Sequence, residues 1–219
     1  IPLDTWFVHM PTAALFKQHS ERLSLLIHGN DHITEELARA YSEEERIQIL
    51  LQALRRIGAF ERRSGIEVSR VMAPPHGACS ESVLREMAHM GFEAAGISKG
   101  SLRCYNKQAP WLRTLGMRPS DIIGGLPVFP RFPFSGSCYN SILLAALLHQ
   151  PIIPMGHHHD IAEGLKLFAD LSGFVNSLGN VLWADMKLIA RSHYARRFDG
   201  RILRVRIFTR RIEVCVPEG

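Results

Sequence analysis

Short apolar runs alternate with longer amphipathic stretches along this chain of 219 residues. The runs are "TWFVHM" (5–10), "LSLLIHGN" (23–30), "IEVSRVMAPPHG" (66–77), "FEAAGIS" (92–98), "LPVFPRF" (126–132), "PIIPMGHHHD" (151–160) and "VLWADM" (181–186). Each is short and most end in turn residues, so they predict strands over 5–9, 23–28, 66–73, 92–97, 126–130, 152–157 and 181–184. Pro11 opens a helix that runs to about Arg22. Ser42 and Glu45 stand at capping-box spacing ahead of Ile47, Leu50, Leu51, Leu54 and Ile57, and Gly65 ends that helix. Ser80 caps another, which Gly91 stops, and further helices are predicted over 138–150, 161–179 and 187–198. Residues 99–139 are less regular, and 201–217 alternate with period 2, as a half-buried antiparallel strand pair does.

Strands that alternate with helices imply βα units and a parallel sheet, whose site lies at the carboxyl ends of the strands. Polar, reactive residues gather there. One strand ends in His28, one in "PPHG", one in Arg131 and one in "HHHD".

His28 and His32 stand four positions apart. A helical turn after Gly29 would aim both imidazoles at one point, the i,i+4 geometry that holds a zinc-type ion. The competing reading is a polar loop whose histidines bond to backbone. A third ligand is often a carboxylate, and Asp31 and Asp160 are the available ones. In "APPHG" (73–77) two prolines stiffen the turn, which either presents Pro75 and His76 to a substrate or merely joins strand to helix. On an extended strand end, His157 and His159 share a face, and either could be a general acid tuned by Asp160. The alternative is that one of them caps the next helix.

Composition adds constraints. With 46% hydrophobic and 21% charged residues the chain is an ordinary globular one, and no low-complexity linker divides it. The formal charge is +5, with arginines bunched late at Arg196, Arg197, Arg201, Arg204, Arg206, Arg210 and Arg211. Such a cluster could meet nucleic acid, but its alternation with apolar residues reads as a solvated strand face, so no nucleic-acid partner is expected. Four scattered cysteines with no CxxC argue against a disulfide framework or a zinc knuckle and fit a reducing, cytoplasmic compartment. No apolar run of about 18 residues is present, so no membrane span is expected. The chain opens at Ile1 within a strand-like run, which leads us to expect upstream sequence.

The order strand–"HGNDH", strand–"APPHG", strand–"HHHD" resembles the polysaccharide deacetylase superfamily, the family 4 carbohydrate esterases and their divergent relatives. The resemblance covers most of residues 3–195 and implies a distorted (β/α)7 barrel of parallel strands over 1–199, with 200–219 as an additional C-terminal antiparallel β element. It implies a metal-dependent hydrolase that removes acetyl groups from an N-acetylated sugar or related amide, with a carbohydrate or acetylated small molecule as substrate. It places the divalent metal, zinc by preference, on His28 and His32. The proline-containing loop falls on "RVMAPPHG", although Arg70 stands farther from the proline than the family's arginine does. The general acid falls on His159, with His157 as its alternative and Asp160 beside it. Pro75, His76 and Arg131 are the expected substrate contacts. The family's opening strand ends in two aspartates, one a metal ligand and one the general base. That motif is absent here and is expected upstream of "TWFV". Its true loss would leave a barrel that binds glycan without turnover.

Overall fold

The computed structural model describes residues 8–135, 138–162 and 164–213. In chain order the elements are α1 (Met10–Gln18), β1 (Leu25–Ile27), α2 (Glu43–Ser64), β2 (Val68–Met72), α3 (Glu81–His89), β3 (Ala94–Ile97), α4 (Lys99–Tyr105), β4 (Asp121–Ile123), β5 (Leu126–Pro130) and β6 (Phe132–Pro133). There follow α5 (Tyr139–Leu147), β7 (Pro154–Met155), α6 (Lys166–Ser177), α7 (Met186–Ser192), β8 (Tyr194–Phe198) and β9 (Leu203–Ile207).

The central sheet runs β1-β2-β3-β5-β4. Its first four strands are parallel, and β4 returns antiparallel to β5. Beyond Arg131 the β5 strand continues as β6, which pairs in parallel with β7. The parallel strands therefore follow one another in sequence order, as βα units require. Among the described residues the hydrogen-bonded order is open, with β1 and β4 at its ends, and no closed barrel forms. The expected strand at 5–9 lies largely outside the described residues.

Two cores hold the sheet from its two faces. Leu50, Ala53 and Ile57 of α2 and Val83, Leu84 and Met87 of α3 bury against Val68, Met72, Ala95, Ile97, Leu126 and Val128. On the other face Val71, Ala94 and Phe129 meet Ala190 of α7, with Met186 and Ile189 beside it. This double burial makes the strands near-continuous apolar runs rather than alternating ones. The capping box at Ser42 is present: Glu45 N–H donates to Ser42 Oγ at 3.2 Å, and Ser42 N–H to Glu45 Oε2 at 2.8 Å. Gly65 ends α2 at φ 67°.

α7 is fixed by charge as well as by burial. Lys187 pairs with Glu67 at 2.7 Å, and Arg191 forks onto Glu93 at 2.6 and 2.8 Å. Those acids immediately precede β2 and β3, so α7 clamps the amino ends of the strands. The carboxyl ends are left for the site.

Three expectations are corrected. Residues 181–184 form no strand. Leu182 and Trp183 are 76% and 61% exposed, and the Trp183 indole donates to Asn176 Oδ1 at 2.9 Å instead. The helix expected over 187–198 stops at Ser192, and Tyr194–Phe198 becomes β8. The late antiparallel pair is thus β8 with β9, which straddles the boundary expected at 199/200. Asp199 and Gly200 make its turn, where Asp199 Oδ1 accepts from the N–H groups of Arg201 and Ile202. Residues 214–217 lie outside the described residues. Most of the late arginines lie on solvated positions of this hairpin, and Arg210 instead donates to the carbonyls of Ala88 and Phe92. No helix is long and apolar enough to cross a membrane, among the described residues.

His193 follows α7 and donates from Nε2 to the Pro119 carbonyl at 3.0 Å. Burial lowers its pKa from the ordinary histidine value, against the opposing effect of that hydrogen bond. The unfolded chain therefore binds a proton at His193 more readily than the folded one, so its contribution to stability is present above about pH 6.5 and is lost as pH falls below it. The melting temperature should drop on acidification from pH 7.5 to about 5.5, and His193→Gln should make that drop smaller. Parallel profiles for the two proteins would show that His193 is not part of the acid response.

Candidate functional site

The carboxyl ends of β1, β2 and β5 bring four side chains together. His28 leaves β1 and donates from Nδ1 to the Ala73 carbonyl at the end of β2, 2.6 Å away. Its ring centroid lies 4.9 Å from that of His32, and His32 lies 4.8 Å from His76. Arg131, just past β5, lies close enough to His28 for its charge to help lower that histidine's pKa. Burial is the largest cause of the lowering, the Ala73 bond opposes it, and the fields of His32, Arg131 and His76 add to it. Two predicted metal ligands and two predicted substrate contacts thus share one place.

The geometry is not that of the expected helix. Residues 28–34 form a turn with no helix, and His32 reaches His28 by adopting φ 54°. His76 sits at φ 54° as well, inside the tight turn Pro75–Gly77. Left-handed backbone is uncommon for a residue with a Cβ and tends to gather at functional positions.

Neighbouring groups enforce these turns. Gly29 adopts φ 68°, and a Cβ there would lie 2.6 Å from Pro75 Cγ, so the two histidine-bearing loops pack backbone to ring. Pro75 is accordingly buried against the first loop, where it sets the spacing between the loops. Glu36, only 3% exposed, accepts from Asn30 N–H at 2.5 Å and His32 N–H at 2.9 Å, and more distantly from Asp31 N–H at 3.3 Å. Arg56 donates to the Asn30 carbonyl at 2.6 Å and pairs with Asp31 at 2.9 Å. Asp31 is therefore directed at Arg56. Arg70 is a structural residue too, forked onto Glu61 at 2.9 and 3.0 Å on the flank of β2. Pattern reading missed Glu36, Asn30 and Arg56, because a buried acid in a loop has no periodicity to betray it.

The late histidines follow β7. Since β7 runs parallel to β6, they share the carboxyl edge of the strands. The His157 and His159 rings stack at 5.3 Å with an interplanar angle of 7°. Asp160 accepts from the His157 backbone N–H at 2.6 Å, and its other oxygen lies 3.6 Å from His159 Nε2. Ligand atoms of His157, His159 and Asp160 all lie within 4.8 Å of one another, so this group could hold a metal ion. Among the described residues it is the one such trio. A cavity of about 1140 Å³ opens beside it, lined by Phe134, Phe168, Trp183 and His193 as well as His157 and Asp160.

No protein-family model, curated protein or solved structure matches the chain. The site therefore rests on its own geometry, in which Glu36 holds the first loop. Glu36→Gln should cost about 1–3 kcal/mol, because one amide oxygen cannot serve the donors that two carboxylate oxygens serve. Denaturant unfolding measures the loss, and imidazole NMR signals of His28 and His32 should broaden or shift with it. Unchanged stability and unchanged signals would show that the carboxylate does not organise the loop.

Proposed function

We propose that the chain is a metal-dependent hydrolase that removes acetyl groups from an N-acetylated sugar or a related amide. The observation that carries this reading is the convergence of His28, His32, His76 and Arg131 at the carboxyl edge of a parallel sheet. The barrel implied by the family resemblance belongs to this reading, and the open sheet described above is compatible with part of it.

The ring spacing of His28 and His32 suits a shared divalent ion, while the one described trio whose ligand atoms converge is His157, His159 and Asp160. Bond lengths of about 2.0–2.1 Å to imidazole put the centroids of two tetrahedrally arranged rings roughly 5 Å apart. The His28–His32 and His32–His76 separations of 4.9 and 4.8 Å agree with that. The Ala73 carbonyl holds the proton on His28 Nδ1 and leaves Nε2 as the donor, the usual second contact of a metal-ligating histidine. Burial favours the neutral ring that binds metal. His28 and His32 would hold the ion, and zinc suits such donors. When bound, such an ion polarises a carbonyl and lowers the pKa of water.

The remaining steps fall to side chains of this chain. Arg131 and His76 orient the substrate beside the ion. His159, or His157 on the same face, gives a proton to the departing amine, and Asp160 steadies the protonated ring. In the resemblance, an upstream aspartate accepts the proton of water.

A second reading is a barrel-like module that binds glycan without turnover. It is favoured by the occupied carboxylates near the histidines: Asp31 is paired with Arg56, and Glu36 is bound to backbone N–H groups. Turnover of an N-acetylated chito-oligosaccharide by the zinc-loaded protein separates the two.

His28→Ala and His32→Ala should each remove most of the zinc affinity, read by calorimetry against a competing chelator. Stoichiometric zinc in the double variant would refute the pair, and its release by His157→Ala would move the ion to the late group. His159→Ala should slow turnover by roughly 10²–10⁴-fold with zinc content intact. If His159 only supports the turn, the variant instead loses about 1 kcal/mol of stability and keeps its rate. Full rate in both His159→Ala and His157→Ala would remove these histidines from the mechanism.

A further inference from the structure

Arg131 is a partly buried cation without a counter-ion among the described residues. Its Nε is buried and has no hydrogen-bond partner among those residues. Burial pushes its pKa down, to about 10. Proteins rarely leave such a charge unmatched, because taking it out of water costs several kcal/mol unless an anion answers it.

The surroundings are arranged for that charge. Arg131 N–H donates to the Ile97 carbonyl, which ties its backbone to the end of β3. The stem then crosses β3 over Gly96, where a Cβ would stand 3.0 Å from Arg131 Cδ. The absence of a side chain at Gly96 lets the guanidinium lie toward β2 and β1. There it meets the field of His28, and through His28 the rings of His32 and His76. The acids that could have matched it are engaged elsewhere, Asp31 on Arg56 and Glu36 on the first loop.

We propose that Arg131, with the imidazoles of His28, His32 and His76, forms a binding site for a small oxyanion, of which a carboxylate is the best fit. A planar carboxylate can accept side-on from Nε and one Nη of a guanidinium, in two parallel charge-assisted hydrogen bonds. N–H groups of His32 and His76 complete the cradle, since the one proton of neutral His28 is held on Nδ1 by the Ala73 carbonyl. This deepens the hydrolase reading, on which it rests for the ligand's origin: the acid released from an acetyl group is such a carboxylate. The anion site itself needs no metal and no turnover.

Metal-free protein, titrated with acetate and separately with inorganic phosphate, tests it through the imidazole NMR signals. Both anions should bind the wild type, acetate shifting the His28, His32 and His76 signals together. Arg131→Gln should weaken acetate by about tenfold or more. Arg131→Lys, which keeps the charge and loses the fork, should fall between. Gly96→Ala, which displaces the stem while leaving Arg131 in the chain, should weaken acetate as well, so that the test survives poor folding of the Gln variant. Stronger binding of phosphate than of acetate assigns the site to phosphoryl groups and overturns the carboxylate preference. Equal acetate affinity in wild type and Arg131→Gln, or no anion binding by the wild type, overturns the site. Loss of zinc by His28→Ala and His32→Ala is read separately, so the metal reading and the anion site can fail independently.

Discussion

The parallel pairing of β1 with β2 decides where the histidine-bearing loops meet in this molecule. Leu25 aligns with Val68 and Leu26 with Ser69, and the register shifts before Ile27 meets Met72. That alignment brings the first loop beside the second, so that His28 can bond to the Ala73 carbonyl and Gly29 can lie against Pro75. Antiparallel pairing would put the two loops at opposite ends of the sheet. The histidine cluster depends on strand direction first and on side-chain identity second.

The two edges of the sheet have been given different work. At the amino edge, α7 is held by two ion pairs to Glu67 and Glu93 and by apolar contacts with Val71, Ala94 and Phe129. The charges there are matched and the backbone is regular. At the carboxyl edge the structure tolerates left-handed histidines and, among the described residues, an unanswered guanidinium and a buried Asn30 Oδ1 without a partner. Stability is concentrated on one edge and departures from it on the other, a division typical of parallel α/β folds that place their sites at strand ends.

Elements with strong local signals were legible. The Ser42 capping box, the apolar spacing from Leu50 to Ile57 and the stop at Gly65 define α2 nearly to the residue. The strand at 126–130 was read with the limits it has. Two hairpins were present in the sequence and passed unread. "IIGGLPV" joins β4 to β5 through Gly124 and Gly125, both at positive φ, and "FDGRI" joins β8 to β9 through Gly200 at φ 88°. Both are two-strand turn signals masked by a helical or irregular reading of their flanks. "VLWADM" failed for another reason: an apolar run becomes a strand only where a neighbouring strand offers its hydrogen bonds, and no local pattern shows that. At the site, strand ends pointed to His28, His32, His76 and Arg131. The loop geometry, and with it Glu36, Asn30 and Arg56, arises from contacts between distant residues and left no trace in spacing.

His32 and His76 share the same backbone conformation, φ 54°, and each carries a ring that meets the other. Left-handed backbone costs a residue with a Cβ about 1–2 kcal/mol, and glycine adopts it without that cost. Glycines stand nearby at Gly29 and Gly77, each relieving such a turn. At the two histidine positions the chain holds the less stable residue where the more stable one is sterically simple. Both loops thus hold an imidazole where a glycine would cost less, and a stability-driven redesign of this protein would replace the clustered histidines first.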